Sequence, residues 1–160
     1  MNYRYWDADC FLGWLNAEPE KVPFCGPVLQ AARSGDVVIV TSAITIAEVL
    51  WLRGQPKLPP SRSREIEAFF RHRWIVLREL DRFVAEDARV LVWEKNVHPK
   101  DAMHLATALR QDVQLDQFDT FDRALIKLSG KLGDPPLLIG NPNLPPKLPF
   151  EEDEDESDEG

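Results

Sequence analysis

The chain has 160 residues, 44% of them hydrophobic and 9% aromatic, which fits one globular domain with a substantial core. No apolar run reaches the roughly 18–20 residues needed to cross a bilayer, and the N-terminus MNYRYWDAD lacks a signal's apolar stretch; a cytoplasmic protein with no membrane association is expected. The net charge of −8 misleads, because eight of the 27 acids fall in residues 151–160 and leave 19 acids against 19 Lys and Arg. An acidic balance of this kind does not exclude a nucleic-acid substrate. Cys10 and Cys25 belong to no CxxC motif and read as small buried hydrophobes, not as a disulfide or thiolate framework.

In chain order, Arg4–Trp6 is a short strand leading to Asp7, and Asp9–Asn16 is a first helix. The Pro-interrupted stretch Pro19–Pro27 introduces a second helix, Val28–Arg33, ended by Ser34-Gly35. VVIVT at 37–41 is a continuous β-branched run, as expected of a strand buried on both faces. A helix from Thr45 through Leu52 follows, then a Pro-rich loop at 55–61, a helix around Arg64–Arg71 and a strand at Trp74–Leu77. Apolar residues at helical spacing mark Asp81–Glu94, and Asp101–Arg110 is another helix. Val113–Thr120 is predicted as a strand, Asp122–Leu128 as a helix and Leu137–Ile139 as an edge strand. Strands alternating with helices predict an α/β fold, a three-layer α/β/α sandwich around a parallel sheet. It occupies residues 1–141, and 142–160 is a Pro-rich, then acidic, disordered tail.

Four acids stand beside apolar runs: Asp7 in YWDADCFL, Glu48 in TSAITIAEVL, Asp101 in HPKDAMHLATAL and Asp122 in FDTFDRAL. Ligands of parallel sheets bind at the carboxyl ends of the strands, and Asp7, Glu48 and Asp122 closely follow predicted strands. Carboxylates gathered there can hold a hard divalent cation, which prefers oxygen, and such a cation can activate water against a phosphodiester. Each acid also has a local alternative. Thr45 to Glu48 is spaced as a capping box. Asp101, just after Pro99, suits a helix N-terminus, and Asp122 also begins a helix. Asp7 is hardest to explain locally, because an unpaired buried carboxylate is costly. His104 lies on the same helical face as Asp101 but has no metal-type His partner, and is expected to pack or hydrogen-bond. Ser42 is expected in a turn or cap, and His72 and His98 carry no signal.

The segments DADCFL, TSAITIAEVL, KDAMHLATAL and FDTFDRAL occur in the order found in PIN-domain ribonucleases, and the chain resembles in particular the VapC-type toxins of toxin–antitoxin pairs. The resemblance covers about residues 3–140. It implies a PIN-like fold, an acidic pocket for Mg²⁺ or Mn²⁺, cleavage of RNA, a partner antitoxin and a homodimer. Residue by residue it makes Asp7, Glu48, Asp101 and Asp122 the catalytic metal carboxylates, with Thr120 of Thr120-Phe121-Asp122 in support. Asp9 stands where Asn or Ser is more usual and would add charge to the pocket rim. Asp119 stands where an apolar strand residue is usual, and either enters the site as an extra acid or faces solvent. A PIN nuclease of RNA processing and a catalytically silent binding module are the alternative readings.

For the substrate, residues 53–73 carry Arg53, Lys57, Arg62, Arg64, Arg71 and Arg73 against Glu65 and Glu67, a surface that phosphates would attract. Trp51 and Trp74 flank it and could stack bases, although a solvated helix face with core tryptophans explains the same pattern. Arg123, beside Asp122, is a better-placed phosphate contact. The acidic tail is either a solubilising end or a phosphate mimic lying in the basic groove. The mimic predicts that deleting residues 151–160 raises RNA cleavage, most clearly at low salt.

Overall fold

The structure is a computed structural model that describes residues 2–50 and 57–144. Its elements are β1 (Asn2–Trp6), α1 (Ala8–Leu15), α2 (Val22–Arg33), β2 (Val37–Ser42), α3 (Ile44–Glu48), α4 (Pro60–Phe70), β3 (Ile75–Arg78), α5 (Arg82–Lys95), α6 (Pro99–Leu109), β4 (Gln117–Asp119), α7 (Arg123–Ile126) and β5 (Ile139–Gly140). Local chemistry sets several boundaries. Asp7 and Asp81 cap α1 and α5, their side chains accepting from Cys10 N and Val84 N. Asn96 ends α5 in the left-handed region at φ 54°, which a short amide side chain tolerates.

The strands pair in the order β3-β2-β1-β4-β5, every pair parallel. The chain lays down β1, β2 and β3 in one direction and then returns to place β4 on the other side of β1. The β1/β4 boundary is therefore the point where strand order reverses, and in open α/β sheets a crevice opens there at the carboxyl ends of the strands. Asp7 follows β1 directly and Thr120 follows β4 directly.

Side-chain alternation along the buried strands builds two cores, one on each face. Tyr5, Val40 and Phe118 face α5 and α6, meeting Val84, Ala88, Leu91, Leu105 and Ala106. Trp6, Val37 and Ile39 face the opposite layer, meeting Phe11, Val28, Leu29, Ile66 and Phe70 from α1, α2 and α4. The predicted three-layer arrangement is thus the observed one, with neighbours Tyr5 and Trp6 each buried in a different core.

Local departures have tertiary causes. Helix α2 starts at Val22, six residues before the expected Val28, and takes in Pro23 and Pro27. Pro23 lies in the first turn, where backbone N–H groups have no helical partner anyway. Pro27 forgoes one helical bond, offset by the complete burial of Cys25 and Val28. Strand β4 is only three residues, because Asp116 turns its carboxylate to accept from Tyr3 N at 2.7 Å. Helix α3 is preceded by Ala43, not begun by Thr45, and the capping box does not form. Thr45 is buried and its hydroxyl meets that of Thr41 at 2.8 Å. Ser42 Oγ instead accepts from Ile44 N at 3.3 Å, the turn role expected of it.

Candidate active site

Asp7 is 4% exposed. Its Oδ1 accepts from Cys10 N at 3.2 Å and its Oδ2 from Thr120 Oγ1 at 2.5 Å. The Thr120 hydroxyl also accepts from Asp122 N at 3.1 Å, so one buried threonine ties the end of β4 to the end of β1 and fixes the next acid. Burial pushes the Asp7 carboxyl up to about 7, and the neighbouring Asp9 charge adds to it; the bond from Thr120 offsets only part.

The remaining acids surround this point. Asp122 caps α7 through Ala124 N at 2.8 Å and is half-buried. Asp101 is half-buried in the first turn of α6; its carboxyl is raised by burial first, then by the charge of Asp122, with Asp9 and Glu48 pushing the same way. Asp9, exposed at the rim on α1, is raised by desolvation, lowered by Lys21 and raised again by Asp122 and Glu48. Asp7, Asp9, Glu48, Asp101 and Asp122 thus share one electrostatic neighbourhood, although they come from four separate segments.

Glu48 does not cap its helix. Its Oε1 lies 2.8 Å from His104 Nε2, and His104 Nδ1 lies 2.7 Å from the Tyr5 hydroxyl. A carboxylate only accepts, so Nε2 must carry the proton it shares with Glu48 whatever the ring's charge. With the ring neutral, Nδ1 then accepts from Tyr5. His104 and Tyr5 are buried, and Glu48 Oε2 has Lys100 Nζ at 3.7 Å. Position on the helix gave the expectation of a hydrogen-bonding His104; its partner, 56 residues away, could not be found from helical spacing.

Asp119 takes neither of its two expected places. It is fully buried, and Arg4 Nη2 and Nε reach its Oδ1 at 2.7 and 3.2 Å. Gln117 Nε2 also donates to Oδ1 and Trp6 Nε1 to Oδ2, each at 2.9 Å. Its carboxylate is consumed by these partners within the strand layer. Burial raises its carboxyl to about 6, with Arg4 first and then the bonds from Trp6 and Gln117 pulling the other way.

The basic candidates fare unevenly. Arg123 is exposed at the first turn of α7, directly after Asp122, and Lys57 is exposed. Arg62 is engaged by Glu65 at 2.9 Å and by the Leu15 carbonyl, which leaves it little freedom for phosphate. Trp74 stacks on His72 with centroids 4.8 Å apart and meets Phe69 edge-on, so its ring faces are largely occupied. Arg53, Trp51 and the acidic tail lie outside the described residues.

Among the described residues, no three His, Cys, Asp or Glu side chains already stand close enough to hold an ion between them. A closed structural site is therefore not what these acids form. Mg²⁺ needs no such cage, since it is commonly held by one or two carboxylates and substrate phosphates while keeping several waters. A buried carboxylate with a raised pKa and no cation of its own fits that demand.

Comparison with known proteins agrees with the geometry. The chain superposes on a chain of VapBC2 from Rickettsia felis, solved bound to a DNA fragment from their promoter, with a TM-score of 0.60 and 14% identity over 87% of this chain and 98% of that one. It superposes on VapC20 of Mycobacterium tuberculosis, described as a sarcin–ricin-loop-cleaving toxin, with a TM-score of 0.58 and 14% identity over 75% and 90% of the two chains. At that identity the likeness concerns the fold. Comparison with curated protein sequences gives no match. No helix among the described residues is long and apolar enough to cross a membrane. The sequence model of the PIN domain matches residues 5–131, most of the chain, and the protein therefore belongs to the PIN domain family.

Proposed function

We propose that this protein is a metal-dependent endoribonuclease of the VapC type, using Mg²⁺ or Mn²⁺, with Asp7, Glu48, Asp101 and Asp122 as its catalytic carboxylates. The observation that carries the reading is Asp7: a buried carboxylate at the β1/β4 switch point, held by two hydrogen bonds and no ion pair, raised by the charge of Asp9 and only partly relieved by His104, with Asp9 in turn coupled to Asp122 and Glu48. Carboxylates in such proximity repel one another unless a cation neutralises them. Asp7 and Asp101 would be the principal ligands, with Glu48 and Asp122 completing the shell or orienting water. A bound divalent ion would supply charge neutralisation and a lowered water pKa.

The chain's own groups do the rest. Thr120 fixes the rotamer of Asp7 and the backbone of Asp122 through one hydroxyl. His104, backed by Tyr5, holds Glu48 Oε1, and Oε2 has Lys100 Nζ at 3.7 Å. Second-layer contacts of this kind are what orient metal carboxylates. Arg123, exposed beside Asp122, would meet a substrate phosphate, and a water among the acids would attack phosphorus in line with the departing oxygen. A toxin role, an antitoxin partner and a homodimer extend the same reading; VapBC2, with its own partner and DNA, supports it by fold.

The test is cleavage of total RNA by wild type and Asp7→Asn with Mg²⁺, Mn²⁺ or EDTA. Metal-dependent cutting that the substitution abolishes is the expected result. A folded wild type that cuts no RNA with either metal, with or without residues 151–160, would sink the nuclease reading in favour of a silent binding module.

A further inference from the structure

An aromatic and cationic cluster adjoins the acids without taking part in them. Lys21, at the start of α2, is held on three sides. A Cβ on Gly13 would come within 2.6 Å of Lys21 Cδ, so the bare glycine of α1 makes room for the lysine stem. Lys21 Nζ lies 2.9 Å from Glu18 Oε2 and 5.4 Å from the centroid of the Phe121 ring. Phe121 is half-buried against the second core and sits in sequence between Thr120, which holds Asp7, and Asp122. Against Phe121, at 6.1 Å and 79°, stands Phe24, whose ring is 41% exposed. Isolated exposed apolar side chains are common. This one is braced by a second ring and a fixed cation at the rim of the acidic pocket, where the Lys21 charge also acts on Asp9.

We propose that Phe24 and Phe121, braced by Lys21, form a subsite for one unpaired nucleobase of the RNA strand next to the scissile phosphate. An unpaired base offers a π face to an exposed ring, whereas a base within a duplex is already stacked on both faces. The subsite would therefore select single-stranded or looped RNA and carry little sequence preference, since every base has such a face. It rests on the nuclease reading above, and its test separates the two.

The full chain is titrated, in EDTA so that nothing is cut, against a short single-stranded RNA carrying 2-aminopurine and against the same sequence in a duplex. Cleavage of the single strand with Mn²⁺ is measured in parallel. Phe24 is 41% exposed and belongs to neither core, so Phe24→Ala is expected to fold. Quenching of the probe by wild type, about tenfold weaker single-strand binding in Phe24→Ala, recovery in Phe24→Trp and unchanged duplex binding are expected. Wild-type cleavage and binding matched by Phe24→Ala would overturn the subsite and leave the nuclease standing. Phe24-dependent binding without any cleavage would uphold the subsite and remove the nuclease. Absence of single-strand binding by wild type would overturn the subsite.

Discussion

Asp7 and Asp119 are both buried aspartates at the ends of adjacent central strands, and burial raises both carboxyls above the ordinary value of 3.8. Asp119 is answered by a guanidinium, an indole N–H and a side-chain amide. Asp7 is answered by one backbone N–H and one hydroxyl, and the largest charge effect on it comes from another acid, Asp9, with His104 opposing more weakly. The first is a charge whose fold supplies its counter-ion. The second has no ion-pair partner in the fold, and the proposed function assigns that part to a divalent ion. A buried acid is therefore functional or structural according to what compensates it, not according to its burial.

The largest expected effect comes from making Asp7 neutral. Asp7→Asn keeps the cap to Cys10 N and can donate to Thr120, since Asn is as good a cap as Asp. It should abolish metal-dependent cleavage while raising metal-free stability by about 1–3 kcal/mol, as the buried charge disappears. Denaturant unfolding and the RNA assay read the two halves. Equal or lower stability would mean that Asp7 is already compensated and the contrast with Asp119 is false.

Arg4→Met should do the opposite. It strands Asp119 without its cation and should cost about 3–5 kcal/mol, with activity falling only as the folded fraction falls. Replacing Asp119 by an apolar residue in the same chain, as in an Arg4→Met/Asp119→Leu double variant, should recover most of that loss, because a buried pair replaced on both sides is often neutral. Failure of the double variant to recover would show that Trp6 and Gln117 depend on the carboxylate more than Arg4 does.

Tyr5→Phe and His104→Leu probe the arm that holds Glu48. Each should lower activity and Mn²⁺ affinity by about 10–100-fold, the range for second-layer partners of metal ligands, and His104→Gln, which keeps a donor, should retain more of both. Mn²⁺ affinity unaffected by His104→Leu would reduce this contact to packing.

The smallest effect is in the pH dependence of the metal-free protein. A carboxyl raised in the folded state binds its proton more tightly there than in the unfolded chain, so its stabilising contribution is complete below about pH 4 and is lost as pH rises through the folded value. Asp7, raised to about 7, places that loss between about pH 4 and 7. Without metal, the melting temperature should be lower at pH 8 than at pH 5, and Mn²⁺ should narrow the gap. Arg4 limits the part that Asp119 plays in this.

The strand–helix alternation and the β-branched run 37–41 were enough to read the three layers, because side-chain period and buried strands leave a local trace. Asp7, Asp101 and Asp122 stood out for the same reason, each at an element boundary beside an apolar run. Glu48 was ambiguous, since its spacing from Thr45 suits a cap equally well and the deciding contact with His104 is long-range. Lys21 and Phe24 were hidden in a proline-interrupted stretch that looks like a loop until Cys25 and Val28 are seen to bury it as a helix. Arg62 and Trp74 looked available for substrate because composition says nothing of the neighbours that occupy them.

By itself, then, the sequence determined most of the strands and helices, though not the start of α2 or the extent of β4, and that several acids fall near the carboxyl ends of the strands. Both follow from local periodicity and from the chemistry of element ends. Only the tertiary structure decided which carboxylate receives a cation from the chain. Arg4 and Asp119 are 115 residues apart and Asp7 and Thr120 are 113 apart, and such partners meet only when β1 and β4 pair. Charge compensation acts through space, and no pattern along the chain encodes it.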